Sequence, residues 1–117
     1  MKFRIDDENE IELVYSFRTS MYFEQVAGHS LDLQNMTDQD VLWLLFSIVH
    51  ATLQINKMDT IMYVDFLNAV DKNGGNVYIY NFTKWFINEQ IKQYELLKLA
   101  VDEDEDQGKK KKQEEKS

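Results

Sequence analysis

The sequence predicts a mainly α (α+β) fold: a small helical domain of about four helices with an N-terminal β-hairpin, then a disordered, charged C-terminal tail. Three observations carry this expectation. Apolar residues alternate at period two up to Phe17, then recur at helical spacing behind recognisable cap residues, and stop after Val101. With 117 residues and an apolar share of 44%, the chain can build one core but not two. The expected organisation is one helical domain with its hairpin over 1–101 and a tail over 102–117.

Phe3 and Ile5 point one way, and Ile11, Leu13, Tyr15 and Phe17 repeat the alternation beyond a turn at Asp7-Glu8-Asn9. The resulting hairpin is too small to be stable alone, so its apolar face must lie on helices. Thr19 or Ser20 can cap a short helix through Ala27, with Gly28 supplying the left-handed residue past its end. His29 to Met36 reads as a loop. Thr37-Asp38-Gln39-Asp40 opens the strongest helix, placing a hydroxyl at the cap and acids in the positive first turn. It is expected to reach Leu53, with Val41, Leu42, Leu44, Leu45, Ile48, Val49 and Leu53 covering most of its circumference. A narrow polar strip of Asp40, Ser47, His50 and Gln54 remains. A third helix is expected from Asp59 to Val70, stopped by Asn73-Gly74-Gly75. Val77 to Tyr80 is either a short strand or the lead into the last helix, which is expected from Phe82 to Val101 behind Asn81 as cap. Leu42, Leu45, Val49, Phe66 and Leu67 are the expected centre of the core.

Beyond Val101 a block of mixed charge without aromatic residues cannot bury a core. The absence of cysteine excludes disulfides, thiolate nucleophiles and sulfur-based zinc sites. No apolar run approaches the length of a membrane span or a signal sequence, so neither secretion nor membrane insertion is expected. A net charge of −8 argues against nucleic acid, and the only basic run, Lys109 to Lys112, follows the acids of Asp102 to Asp106. No cofactor or metal is expected. The Asp71 and Asp102 stretches both miss the glycine and glutamate of a calcium loop. His29 and His50 have no inferable catalytic partner, which leaves no candidate catalytic residue.

What remains unusual is the aromatic load of six tyrosines, seven phenylalanines and two tryptophans. In the last helix Phe82, Trp85, Phe86, Leu96, Leu97 and Ala100 share one face, while Ile87, Ile91 and Tyr94 form a second stripe. Trp43 projects into the polar strip of the central helix, placing it either under the hairpin or at a binding surface. Met21, Tyr22 and Phe23 cannot all face one way on a helix. Either the hairpin and first helix cover these stripes, or some apolar surface is left for a partner. The candidate partner-binding residues are therefore Trp43, Trp85, Ile87, Ile91 and Tyr94, with Tyr22 and Phe23 behind them. Such a surface suits an amphipathic helix of another protein or a second copy of this chain.

The layout also resembles a known family. An N-terminus of Met1-Lys2-Phe3-Arg4-Ile5, an acidic turn into Ile11-Glu12-Leu13-Val14-Tyr15-Ser16-Phe17-Arg18, a small helical domain and a charged tail are similar to the tail assembly chaperones of long-tailed bacteriophages of Gram-positive hosts, lactococcal phages above all. The resemblance covers 1–101 and rests on layout, with no diagnostic motif. It implies a non-catalytic, non-virion late protein of the host cytoplasm. Such a protein binds the long helical tape measure protein and keeps it soluble until tail-tube subunits polymerise, acting as a homo-oligomer in an open array. The Lys109 to Lys112 run fits the family habit of a frameshift site near the end of the gene. The alternative class is a small acidic adapter or inhibitor that binds a globular host protein 1:1.

Overall fold

The computed structural model describes residues 1–101 with their side chains and, beyond them, only the course of the last helix to Lys116. The disorder expected for 102–117 falls outside the described residues. The fold is mainly α with a small β element: β1 (Lys2–Arg4), β2 (Glu10–Glu12), α1 (Phe17–Ala27), α2 (Asp38–Ile55), α3 (Tyr63–Lys72) and α4 (Asn76–Lys116). It divides into two units, Met1–Trp85 and Phe86–Ser117, with α4 running through both.

The strands pair antiparallel with Phe3 opposite Ile11. Their turn is held by the Asp6 carboxylate, which accepts the backbone N–H groups of Glu8 and Asn9 at 2.9 and 2.8 Å. Phe3, Ile11 and Leu13 point inward and are buried, while Lys2, Arg4, Glu10 and Glu12 face out. The alternation expected to continue to Phe17 ends earlier. After the Leu13 N–H reaches Met1 O, the Val14 N–H leaves the ladder for the Thr52 hydroxyl of α2 at 3.1 Å. Ser16 then takes the N-cap position of α1, its carbonyl accepting the Thr19 N–H at 3.0 Å while its hydroxyl makes no cap bond, and Phe17 is the first, exposed helical residue.

Two side chains fasten the hairpin to the helices. Asn73, at the end of α3, accepts the Arg4 N–H at 2.9 Å and donates to Arg4 O at 2.8 Å, as a neighbouring strand would. The Tyr78 hydroxyl donates to Lys2 O at 2.8 Å.

The loop at 29–36 and the Thr37 cap of α2 stand as expected. The Thr37 hydroxyl accepts the Asp40 N–H, and the Asp40 carboxylate accepts the Thr37 N–H, both at 3.1 Å. α2 ends through Lys57, a non-glycine residue in the left-handed region at φ 57°, as the Met58 N–H returns to Leu53 O. Gly28 closes α1 in the same conformation, at φ 79°.

Three helix starts differ from expectation. α1 begins at Phe17 and not behind Thr19 or Ser20, and Thr19 is a buried residue inside the helix and no cap. α3 begins at Tyr63 and not Asp59, and the non-helical segment before it sets the half-buried Ile61 on the wall of a pocket that Tyr22, Phe46 and His50 also line. α4 begins at Asn76, so Val77 to Tyr80 is helix and Asn81 is an exposed interior residue and no cap. The reason is burial: Tyr78 and Phe82, four apart, both enter the core, which a strand followed by a cap would not permit.

α2 is the central helix, with α1 and β2 packed on it. Leu44, Leu45, Ile48, Val49 and Leu53 are buried, as is Phe66 of α3, whereas Leu42 and Leu67 are only half-buried at the edge. A chain of rings runs from Tyr78 through Phe3 and Phe66 to Phe46, with centroids 5.6, 6.0 and 5.1 Å apart.

Candidate partner-binding surface

The polar strip of α2 is only partly a solvent face. Gln54 is exposed and His50 half-buried, and α1 meets this end of the strip, whereas Asp40 and Ser47 find their partners in α2 itself, its cap and the preceding loop. Asp40 and Ser47 are buried: the Ser47 hydroxyl donates to Trp43 O at 2.7 Å, and Asp40 serves the helix cap. His50 takes the Tyr22 ring edge-on at 4.5 Å, and burial pushes its imidazole below the usual pKa. The Tyr22 hydroxyl donates to the Gln54 side chain, which Arg18 also reaches. His29, expected to lack an acidic partner, has one, its Nε2 meeting the Asp40 carboxylate.

The aromatic candidates of the first unit therefore serve packing to different degrees. Phe23 is 0% exposed and edge-on to His29, so it is a core residue and is withdrawn from the binding surface. Trp43 lies neither under the hairpin nor free: it is half-buried against Tyr63 of α3, centroids 4.6 Å apart. Tyr22 is half-buried over α2, and Trp85 half-buried beside Phe82. Met21, which precedes Tyr22 and Phe23, is the member of that triplet left to solvent.

The second unit is different. Phe86 is buried, but Ile87, Ile91 and Tyr94 are exposed, together with Leu96 and Leu97 of the other stripe. With Leu99 and Val101 they make seven large apolar residues in fifteen positions, each 50% to 68% exposed. From Leu96 to Val101 they lie on several sides of the helix. The signal missed in the sequence is that all-round apolar character, which no single core-facing stripe can absorb.

The charge on this stretch is balanced. Lys92 and Lys98 match Glu89 and Glu95, with Lys92 and Glu89 in contact at 3.4 Å, in a chain of net charge −8. Other apolar side chains are exposed in the first unit, among them Phe17, Met62, Val77 and Tyr80, with the Lys84 ammonium 4.4 Å over the Tyr80 ring. Among the described residues, no three His, Asp or Glu side chains gather where a metal could be held, and no helix is long and apolar enough to cross a membrane. Comparison with protein families, with curated proteins and with solved structures finds no match.

Proposed function

We propose that this chain is a non-catalytic holding protein, a phage tail assembly chaperone that keeps a long helical tape measure protein soluble while the tail is built. One observation carries the reading: the exposed apolar stretch of α4 from Ile87 to Val101. Leaving so contiguous an apolar surface in water is costly for a free protein, and an amphipathic helix is the surface that best covers it. A long helical protein awaiting its tube has such stripes in number. The resemblance in layout supports the identity of that partner, and with it a late, non-virion role in the host cytoplasm.

The test is co-expression of the full chain with a tagged central segment of the tape measure protein. The segment is expected to be soluble and to co-purify with the chain. Ile87→Ser/Tyr94→Ser is expected to abolish this while leaving the melting temperature unchanged. A segment that stays insoluble beside the native chain, or a complex that survives the double substitution, would refute the proposal.

A further inference from the structure

Asn73-Gly74 is the one place in the chain where glycine follows asparagine. Such a pair is open to deamidation, because the glycine carries no Cβ to hinder the approach of its nitrogen to the asparagine amide. In that reaction the Gly74 nitrogen gives up its proton to solvent and attacks Asn73 Cγ, a cyclic imide closes, and Nδ2 leaves as ammonia. Water then opens the ring, giving aspartate or an isoaspartate whose main chain is longer by a carbon.

The fold holds the pair away from this course. Asn73 ends α3 with ψ −4°, which aligns the Gly74 nitrogen with the Asn73 nitrogen and turns it away from the side chain it would have to meet. The Gly74 N–H is donated to Asp71 O at 3.2 Å. The amide is held as well: Nδ2 donates to Arg4 O at 2.8 Å and to Ala69 O at 2.7 Å, and Oδ1 accepts the Arg4 N–H at 2.9 Å. Ring closure has to break the contacts with Arg4, so β1 must leave the end of α3 first.

We propose that Asn73-Gly74 is a site of spontaneous deamidation, closed while the hairpin is docked and converted, one way, when it lifts. The product cannot dock as before. The amide matches the N–H and C=O of Arg4 because it offers both an acceptor and a donor. A carboxylate only accepts, and would set an oxygen against Arg4 O and Ala69 O. Of the two side chains that fasten β1, Tyr78 alone would remain, with its hydroxyl on Lys2 O. The bond between Asn73 and Gly74 thus records, in covalent form, how often the hairpin has left the helices.

The experiment uses the full chain alone, so its outcome is separate from that of the co-expression test. The chain is incubated in mildly alkaline buffer with and without strong urea, and peptide masses are followed over time. In urea, Asn73 is expected to gain the mass of an amide-to-acid exchange well before Asn76, which valine follows. In the folded chain this conversion should be at least about tenfold slower, as the rate then follows a minor open population. Tyr78→Phe keeps the ring, drops the Lys2 O bond, and should speed conversion in the folded chain by about threefold to tenfold. In Asn73→Asp the Arg4 N–H should exchange with solvent about tenfold faster while α2 stays protected.

Four results overturn the proposal: Asn73 no faster than Asn76 in urea, equal rates with and without urea, a rate unmoved by Tyr78→Phe, or unchanged exchange at Arg4 in Asn73→Asp. Should Tyr78→Phe unfold the chain, the urea comparison and Asn73→Asp decide.

Discussion

His29 Nε2 lies 2.9 Å from Asp40 Oδ1, and its other ring nitrogen lies 2.9 Å from Ser30 O. Both nitrogens thus face acceptors, an arrangement only the imidazolium satisfies fully. One histidine ties the 29–36 loop to the carboxylate that also caps α2. The Ser30 carbonyl first, and then Asp40, raises the His29 pKa above its usual 6.5. The Thr37 N–H first, and then His29, lowers that of Asp40 below its usual 3.8.

The signs set a pH window. The His29 contribution is complete below 6.5 and is lost as pH rises through the raised folded value. The Asp40 contribution is present above 3.8 and is lost as pH falls through the lowered folded value. His50, whose pKa is lowered, acts in the opposite sense near 6.5, so the effect of His29 is read as a difference. Relative to His29→Gln, the native chain is expected to lose melting temperature from about pH 6 to 8, which thermal scans of both chains over that range would show.

Thr52 offers a second test. Its buried hydroxyl donates to Ile48 O at 2.7 Å and accepts the Val14 N–H at 3.1 Å. Thr52→Val keeps the shape and leaves that N–H unpaired, so urea unfolding is expected to show a loss of about 1–3 kcal/mol. Thr52→Ser, which keeps the hydroxyl, should lose less.

Neighbours on α1 are expected to behave oppositely. Phe23→Ala empties a fully buried site and should cost about 3–5 kcal/mol. Met21→Ser changes an exposed side chain and should stay within about 0.5 kcal/mol. Chemical denaturation of the two variants compares them directly.

Lys57 holds a left-handed conformation that L side chains adopt at a cost. Lys57→Gly is expected to stabilise the chain by about 0.5–1 kcal/mol, read as a higher denaturation midpoint at unchanged slope. Gly28→Ala, at φ 79° with open space around the added methyl, should lose about 1 kcal/mol for the same reason in reverse.

Much of this fold is legible in local order. The Thr37 capping box, the left-handed Gly28 and the double glycine after α3 mark helix ends by short-range chemistry, and each stands where the residues place it. The Phe3 and Ile11 alternation likewise specifies a hairpin with one buried face. The errors lie where a long-range partner overrides a local preference. Val77 to Tyr80 could have been strand, but Tyr78 is needed over Phe3 and at Lys2 O. Asp59 could have opened α3, but the chain stays non-helical to Met62 and sets Ile61 beside Tyr22 and His50.

The candidate surface divides along the same line. The apolar excess of the last helix is a property of the chain itself, because it depends only on which residues occur at which intervals. Which aromatics that excess leaves exposed is a property of packing. Trp43 finds Tyr63 and Phe23 enters the core, while Ile87, Ile91 and Tyr94 remain in water. Two stripes on one helix look alike in sequence, and only packing decides which residues of them are covered: Phe82 and Phe86 enter the core, while Leu96 and Leu97 of the same stripe do not.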